Sequence, residues 1–105
     1  MIRVTGFYRW QEGASFDHEY YTNVHMALTR EQLAPLGLVR LESDRFISGA
    51  APKAGEMVAA SHAYFEDIAQ AQAALASAGK TLMNDVKNYT TLVPEMRMSV
   101  VTPHA

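Results

Sequence analysis

Residues 57–67 decide the fold, and they read MVAASHAYFED in one-letter code. The first nine of them are largely apolar or aromatic, which is typical of a β-strand. Asp67 then supplies an N-cap for a helix, and Gln70 stands three residues later, as in a capping box. The stretch therefore predicts a strand over residues 57–65 that passes directly into a helix.

The residues before this stretch contain another helix start. Asp17 is a good N-cap, and Phe16 and Tyr21 have the spacing of a hydrophobic staple. After the cap, residues recur at helical spacing and predict a buried stripe of Tyr20, Val24, Ala27 and Leu28. The phase of this stripe breaks after about Thr29, which predicts a kink or a second short helix that ends at residues 35–37.

The same reasoning predicts three further strands, over residues 2–10, 38–47 and 91–101. Gly79 is predicted to end the helix that begins at Asp67, and a short helical turn over residues 82–86 follows it. The resulting order is βαββαβ in a single domain of residues 1–105. This order is typical of a ferredoxin-like α+β fold, a four-stranded antiparallel sheet with both helices on one face.

The second face of this sheet is predicted to be covered by another copy of the chain. In residues 57–65 both alternating sets of side chains are largely apolar or aromatic, whereas a half-solvated antiparallel sheet alternates between apolar and polar residues. Two helices cover only one face, and an uncovered apolar face would be a larger patch than soluble monomers usually expose. A homodimer that packs sheet against sheet is therefore expected rather than a monomer.

The composition excludes several classes of protein. The 105 residues are 49% apolar and 19% charged, which suits one packed domain and rules out disorder. The chain has no cysteine, so disulfides and thiolate sites are excluded. The net charge is −2 and the basic residues are scattered, so no nucleic-acid partner is expected. No stretch has the pattern of a signal peptide or a membrane span, so a cytoplasmic location away from membranes is expected.

The densest polar and aromatic cluster, YYTNVHM, spans residues 20–26. Tyr21 and His25 are about one helical turn apart, and His25 falls on the flank of the predicted buried stripe. A partly buried imidazole beside phenols suits proton transfer near neutral pH. Alternatively, His25 only packs the edge of the helix and hydrogen-bonds a neighbour.

Other polar residues give weaker signals. His62 lies mid-strand on the same side as Tyr64, where it either lines a pocket or packs as an ordinary strand residue. Asn88 and Tyr89 precede the fourth strand and are placed to face a cleft at the sheet edge, unless Asn88 only serves the turn. His18 is expected to be solvated. No metal-ligand spacing and no phosphate-binding loop occurs, so no metal site is predicted.

Four segments of the chain resemble the ethyl tert-butyl ether degradation (EthD) family of the dimeric α+β barrel superfamily. They are FDHEYYTNVHM at residues 16–26, LGL at 36–38, YFED at 64–67 and MNDVKNYT at 83–90. The family pattern combines an acidic residue, paired tyrosines and a His-Met pair four residues beyond the second tyrosine. The chain departs from this pattern at Ala27 and Lys87, where relatives often carry proline.

The resemblance implies a ferredoxin-like protomer, a dimeric α+β barrel and a small-molecule pocket between the helices and the sheet. An imidazole with two phenols at the edge of an apolar stripe leads us to expect, in this pocket, an enzyme with no cofactor that acts on a small apolar oxygenated or aromatic compound, such as a phenol, quinone or lactone. His25 would shuttle a proton, and Tyr21 or Tyr20 would hydrogen-bond the substrate oxygen. The pocket would be lined by Tyr8, His62, Asn88 and Tyr89.

The resemblance does not identify the reaction that the protein catalyses. Family members are often labelled reductases or oxidoreductases, and related barrels include isomerases, cyclases and haem enzymes. A non-catalytic, small-molecule-binding accessory protein of an oxidative degradation pathway is the main alternative. Haem ligation by His25 is disfavoured, because the chain lacks the length of those haem enzymes.

Overall fold

The sheet has four antiparallel strands in the spatial order β2-β3-β1-β4. In the computed structural model, which describes all 105 residues, the strands are β1 (Ile2–Arg9), β2 (Arg40–Arg45), β3 (Met57–Phe65) and β4 (Glu95–Val100). The central strands β1 and β3 pair in a register that places Val4 opposite Ala63. Two helices complete the βαββαβ order, so the predicted ferredoxin-like α+β fold is confirmed.

The two edge strands, β2 and β4, are shorter than predicted. Before β4, the Thr90 hydroxyl donates to the Ser15 carbonyl over 2.7 Å, so this segment is bonded to the loop after β1 and not to the sheet. Pro94 then precedes the first residue of β4, and proline has no N–H to give to a strand ladder. Regular pairing of β4 therefore begins only after Pro94.

The first helix covers residues 18–33 and changes its winding along its length. It consists of an α-helical turn (His18–Tyr20), a π-helical segment (Tyr21–His25) and a second α-helical segment (Met26–Leu33). A 3-10 turn (Ala34–Leu36) follows, and Gly37 in the left-handed conformation, with a φ of 97°, ends it. The predicted end of the helix is confirmed, whereas the irregularity lies earlier than the predicted kink.

The start of the first helix has the predicted cap and staple. The Asp17 carboxylate accepts a hydrogen bond from the Tyr20 amide over 3.0 Å. The rings of Phe16 and Tyr21 pack edge to face with centroids 5.2 Å apart. These local contacts fix the angle at which the chain enters the helix.

The buried stripe of the first helix differs from the prediction. The residues that recur on the buried face are Tyr21, His25, Thr29 and Leu33. Val24, which was predicted to be buried, is 46% exposed. A π-helical turn contains more residues than the 3.6 of an α-helix. Buried residues therefore recur every four positions along this face, and His25 lies at the centre of the stripe instead of on its flank.

The second helix (Ile68–Asp85) is longer than predicted. Asp67 accepts a hydrogen bond from the Gln70 amide over 2.8 Å, which confirms the N-cap. Gly79 does not end the helix, contrary to the prediction, because its φ is not positive and the helix continues to Asp85. A glycine inside a helix costs about 1 kcal/mol relative to alanine. A 3-10 turn (Val86–Asn88) follows the helix.

Two hydrophobic clusters fill the space between the sheet and the helices. The first lies under the second helix and consists of Ile2, Val4, Leu33, Ala63, Phe65, Ala71, Ala74 and Ala78. The second extends under the first helix and consists of Tyr8, Tyr21, Met26, Val58, Ala59, Val86, Tyr89 and Leu92. Of the two clusters, only the second contains tyrosines. The phenol hydroxyls of the core therefore lie in the second cluster.

The helix-free face of the sheet is more polar than expected. On β3 it carries Ala60, His62 and Tyr64, but the strands on either side add Arg3, Thr5, Arg40, Glu42, Asp44, Glu95 and Arg97. The guanidinium groups of Arg9 and Arg97 lie 5.1 and 5.6 Å from the centroid of the Phe7 ring. The expectation of a largely apolar face is therefore wrong, because the neighbouring strands bring charged residues to it. The homodimer stays a prediction.

No helix of the chain combines the length and the apolar character that a bilayer-crossing helix needs.

Candidate active site

A histidine–aspartate pair lies where the first helix meets the end of the second. The His25 Nδ1 and Asp85 Oδ2 atoms are 2.9 Å apart, and both side chains are largely buried. His25 comes from the π-helical segment, whereas Asp85 is the last residue of the second helix. The tertiary fold, and not a local sequence motif, brings the two side chains together.

Asp85 occupies a position that is unfavourable for an acidic residue. The C-terminal end of a helix carries a partial negative charge, which repels a carboxylate. Three hydrogen bonds compensate: His25 contacts Oδ2, and the Tyr20 hydroxyl and the Asn88 amide each donate to Oδ1 over 2.8 Å. Burial acts to raise the pKa of Asp85, but the hydrogen bonds from His25, Asn88 and Tyr20 outweigh it and lower the pKa below its ordinary value. Asp85 is therefore ionised at neutral pH.

The Asp85 carboxylate determines which nitrogen of His25 carries the proton. An ionised carboxylate only accepts hydrogen bonds, so Nδ1 must be the donor. In the neutral imidazole, Nε2 then keeps its lone pair. Nε2 makes no hydrogen bond within the chain, and His25 lines the cavity described below. The free basic atom of the pair is therefore Nε2.

The π-helical segment positions Tyr21 and His25 relative to each other. The Met26 amide donates to the Tyr21 carbonyl, which closes the wide turn. The rings of Tyr21 and His25 are stacked, with centroids 5.6 Å apart and 14° between their planes. The Tyr89 ring also packs on the imidazole, with centroids 4.7 Å apart. Single π-helical turns occur frequently at functional sites, where they place side chains that a regular helix would not.

Three buried phenols lie at the site: Tyr21 and Tyr89 pack on the imidazole, and Tyr8 packs edge to face on both of them. The hydroxyls of Tyr8 and Tyr89 hydrogen-bond each other, and the buried Tyr21 hydroxyl has no partner. In the Tyr8–Tyr89 pair one hydroxyl donates, and the other keeps a proton without an acceptor. Burial raises the pKa of Tyr8 to about 12 and also raises the pKa values of Tyr21 and Tyr89. The site therefore holds two neutral O–H donors that no protein group uses.

A cavity of about 280 Å³ lies beside this cluster, between the sheet and the two helices. Its polar lining comes from Tyr8, His25, Thr29 and Ser61. The remaining wall is formed by Val4, Leu33, Leu41, Ala63, Leu75, Gly79, Leu82, Met83, Val86, Pro94 and Met96. No lysine, arginine or carboxylate lines it. An apolar cavity with a few convergent polar groups is typical of a site for a small molecule.

A larger and more open groove of about 680 Å³ lies beneath the loop between β2 and β3. Arg9, His18 and Arg45 line it. His18 was predicted to be solvated, but its ring packs on Phe16 with centroids 4.5 Å apart. Partial burial and the positive charge of Arg45 lower the pKa of His18. The groove shares no lining residue with the cavity beside His25. We place the candidate site at the cavity because the buried polar groups converge there.

The structure gathers the predicted site residues around His25 and Asp85, with one exception. Only Tyr8 and His25 among them line the cavity, because Tyr20 and Asn88 bond to Asp85, and Tyr21 and Tyr89 pack on the imidazole. Asn88 and Tyr89, which were predicted to line the pocket, therefore do not line this cavity.

The exception is His62, which lies on the helix-free face of the sheet. There Thr5 Oγ1 is 3.0 Å from its Nδ1 atom, and Asp44 Oδ2 is 2.7 Å from its Nε2 atom. Successive residues of a strand point to opposite faces, so Ser61 and Ala63 face the cavity and His62 does not. The prediction that His62 lines the pocket is therefore wrong.

Asp85 is the candidate site residue that the sequence does not identify. An acidic residue at the end of a helix is a signal that something else compensates its charge. Because Gly79 predicts an earlier end for that helix, Asp85 falls outside it and this signal is absent. Thr29 and Ser61 were also missed, because a single hydroxyl in a helix or a strand forms no pattern.

Metal-ligating side chains do not gather in this chain, since no three His, Asp or Glu residues lie close enough together to hold an ion. Within the cavity lining, Nε2 of His25 is the one nitrogen that could ligate a metal or a haem iron. A single such ligand does not form a metal site by itself.

Comparison with solved structures gives the class of this fold. An EthD-like protein from Ralstonia eutropha JMP134 superposes with a TM-score of 0.83 at 28% identity, covering 99% of this chain and 94% of that chain. An ethyl tert-butyl ether degradation (EthD) family protein from Bacillus halodurans C-125 has a TM-score of 0.58 at 22% identity, covering 90% of this chain and 96% of that chain. HapK from Hahella chejuensis has a TM-score of 0.61 at 16% identity, covering 100% of this chain and 96% of that chain. No protein-family model and no curated protein matched.

The sheet order and these structural neighbours define an α+β protein with the fold of the dimeric α+β barrels. Within that class, the chain is similar to an EthD-like protein over almost its whole length. This structural neighbour confirms the fold and the resemblance noted in the sequence.

Proposed function

We propose that this chain is an enzyme that transfers a proton on a small, mostly apolar carbonyl or phenolic compound bound beside His25. The observation that carries the proposal is the His25–Asp85 pair, whose atoms are 2.9 Å apart and whose histidine lines the cavity. The base and the hydrogen-bond donors are side chains of this chain, so the proposed reaction uses no cofactor.

The proposed step moves a proton and transfers no electrons between molecules. For a carbonyl substrate, His25 Nε2 removes a proton from the carbon next to the carbonyl, so a C–H bond breaks and an N–H bond forms. The electron pair of the C–H bond shifts to give an enolate, with its negative charge on oxygen. Return of the proton to the same carbon, or to a conjugated one, restores the base and gives the starting compound or an isomer.

The Tyr8 hydroxyl, the one phenol of the three that lines the cavity, suits the stabilisation of the enolate oxygen, and Tyr21 and Tyr89 lie beside it. Tyr21, and one member of the Tyr8–Tyr89 pair, hold protons that no acceptor in the chain uses. Their raised pKa values keep them protonated at neutral pH, so they act as donors and not as bases. Donors held in a cavity of low dielectric stabilise developing negative charge more strongly than water does.

Asp85 is a positioning residue in this proposal. It does not line the cavity, but it holds the Nδ1 proton of His25 and so keeps Nε2 free to accept one. Its negative charge also stabilises the imidazolium that forms when Nε2 takes up a proton. Tyr20 and Asn88 hold the carboxylate through its other oxygen, Oδ1.

Replacement of His25 tests the proposal. The measurement is the exchange of the α-hydrogens of 1-tetralone, a neutral aryl ketone, for deuterium from D₂O, followed by NMR. Because a positioned general base contributes roughly 10²–10⁴-fold in rate, His25→Ala is expected to lower the catalysed exchange at least about a hundredfold. His104→Ala changes an exposed histidine of the C-terminal tail and is the matched control, with an expected rate equal to that of the unaltered chain.

Two outcomes of this experiment decide between catalysis and its alternative. A folded His25→Ala variant that exchanges hydrogen as fast as the unaltered chain would contradict the role of His25. Saturable binding of 1-tetralone with no exchange above the buffer rate, for this ketone and for a panel of ketones and phenols, would favour a non-catalytic binding protein. The apolar cavity by itself supports that second function. An oxidoreductase function, which the resemblance also suggests, would need a redox partner from outside the chain.

A further inference from the structure

Gly79 lies inside the second helix at a position where the local structure does not require a glycine. Its φ is not positive, and the helix continues on both sides of it. A Cβ atom added at Gly79 would meet no atom within 4 Å, so close packing does not explain the glycine either. Alanine would be the more favourable residue in this helix.

The missing side chain of Gly79 falls on the face of the helix that lines the cavity. Leu75, Leu82 and Met83 line this cavity, and they lie four residues before, three after and four after Gly79. Residues at these spacings share one face of a helix. Gly79 is itself part of the lining, so the absence of a side chain there leaves space beside the cavity.

We infer that the apolar part of the ligand lies against Gly79 and that this residue sets the size of the compound that the cavity accepts. The inference rests on the proposed function for the polar end of the ligand, which we place at His25 and the Tyr8 hydroxyl. The apolar body then extends along the second helix towards Met83 and Met96, which belong to the same lining.

The cavity also defines the charge and the size of this ligand. No lysine or arginine lines it, and the Asp85 carboxylate lies directly behind His25, so an anion would find no counter-charge. Its volume of about 280 Å³ is at the small end of ligand sites, which hold roughly 300–1,000 Å³. The methionine side chains provide an adaptable apolar wall. The expected ligand is therefore a neutral compound of one or two fused rings with a single carbonyl or hydroxyl oxygen.

The experiment compares the binding of 1-tetralone to the unaltered chain, Gly79→Leu and Ala76→Leu by calorimetry. Ala76 is an exposed residue of the same helix that does not line the cavity, so Ala76→Leu is the matched control. Gly79→Leu is expected to raise the Kd at least tenfold, because leucine fills the space beside the cavity, and Ala76→Leu is expected to leave it within twofold. 1-Naphthoate, an anion of similar size, is expected to bind the unaltered chain at least tenfold more weakly than 1-tetralone.

Several results would overturn the inference. A folded Gly79→Leu variant with an unchanged Kd for 1-tetralone overturns it, and so does the absence of 1-tetralone binding to the unaltered chain. Tighter binding of 1-naphthoate than of 1-tetralone overturns the neutral ligand class. If Gly79→Leu does not fold, Gly79→Ala replaces it, with an expected rise in both Tm and Kd. A raised Tm with an unchanged Kd then overturns the inference.

Failure of this inference is distinguishable from failure of the proposed function. The exchange rate of the unaltered chain reports on the proton transfer, whereas the Kd of 1-tetralone compared between the unaltered chain and Gly79→Leu reports on Gly79. If the unaltered chain catalyses no exchange but Gly79→Leu weakens binding, the role of Gly79 stands and the proton transfer does not. If the unaltered chain catalyses exchange and Gly79→Leu changes neither its KM nor its Kd, the proton transfer stands and the role of Gly79 does not.

Discussion

At the scale of single residues, Asp85 connects the stability of the fold with the chemistry of the site. It lies at the end of a helix that opposes its charge, and hydrogen bonds from His25, Tyr20 and Asn88 hold it there. A hydrogen bond from a buried group to a carboxylate is stronger than one between neutral groups. Removal of the charge should therefore affect both the free energy of unfolding and the rate of proton transfer.

The substitution Asp85→Asn is expected to change the pH dependence of stability. The pKa of Asp85 is lowered in the folded state, so its carboxylate stabilises the fold above its unfolded-state pKa of about 3.9. This contribution is lost as the pH falls through the folded-state pKa. Urea unfolding at a series of pH values should show that the unaltered chain loses stability below about pH 4, and that Asp85→Asn loses less over the same range.

At pH 7 the Asp85→Asn variant is expected to be less stable by about 1–3 kcal/mol. Its exchange of 1-tetralone hydrogens should fall on the order of a hundredfold, because asparagine does not enforce the Nδ1 proton. Asp67→Asn is the matched control, since asparagine caps a helix as well as aspartate does. Equal pH dependence of stability in Asp85→Asn and the unaltered chain would contradict the role of this carboxylate.

At the scale of the elements, the start of the first helix connects two parts of the site. The Asp17 side chain caps the helix that carries Tyr21 and His25. The Asp17 amide also donates to the carbonyl of Tyr89 over 2.7 Å, so the cap lies against the segment that carries the third phenol. The position of the helix start therefore affects the distance between the imidazole and the phenols.

Asp17→Ala is expected to lower the free energy of unfolding by about 1 kcal/mol, because the Tyr20 amide loses its acceptor. Asp17→Asn keeps a side-chain acceptor and is the control, with an expected change below about 0.5 kcal/mol. Urea unfolding of the two variants measures the difference. A cost as large for asparagine as for alanine would show that the cap hydrogen bond is not the source of the stability.

Elements whose signals are local were predictable from the sequence. Both N-caps, at Asp17 and Asp67, and the bounds of β3 are as predicted, because a cap and a strand pattern depend on residues close together in the chain. The end of the second helix was not predictable from Gly79, since the space beside that residue is created by tertiary packing. The same limit applies to the site, where the tyrosines and His25 stand out by residue type but Asp85, which bonds both Tyr20 and His25, does not.

At the scale of the whole molecule, the helix-free face is the surface on which we expect a second copy of the chain. The Arg3 Nε atom on this face is buried and has no hydrogen-bond partner. The Thr5 hydroxyl bonds His62 at the centre of the face. Charged and aromatic side chains thus cover this face, and the homodimer that we expect on it would follow a two-fold axis.

Thr5→Lys is expected to shift the dimer towards the monomer. A lysine at position 5 would lie opposite Arg97 of β4, so its charge would be repelled there and would lose its hydration when the second copy buries it. Light scattering coupled to gel filtration should give twice the mass of one chain for the unaltered protein and a dissociation constant raised at least about a hundredfold in Thr5→Lys. Ser77→Lys, on the exposed face of the second helix, is the control and should remain dimeric. A monomeric unaltered chain would contradict the predicted dimer.

The distances along the chain between bonded site residues have a consequence for how the protein matures. The carboxylate and the imidazole that it holds are 60 positions apart, and the two phenols that share a hydrogen bond are 81 apart. A nascent chain on the ribosome therefore contains His25 and Tyr8 long before it contains Asp85 and Tyr89. On the proposed function, reactivity towards a ketone should therefore appear only after the segment that carries Asp85 and Tyr89 has folded against the first helix and β1.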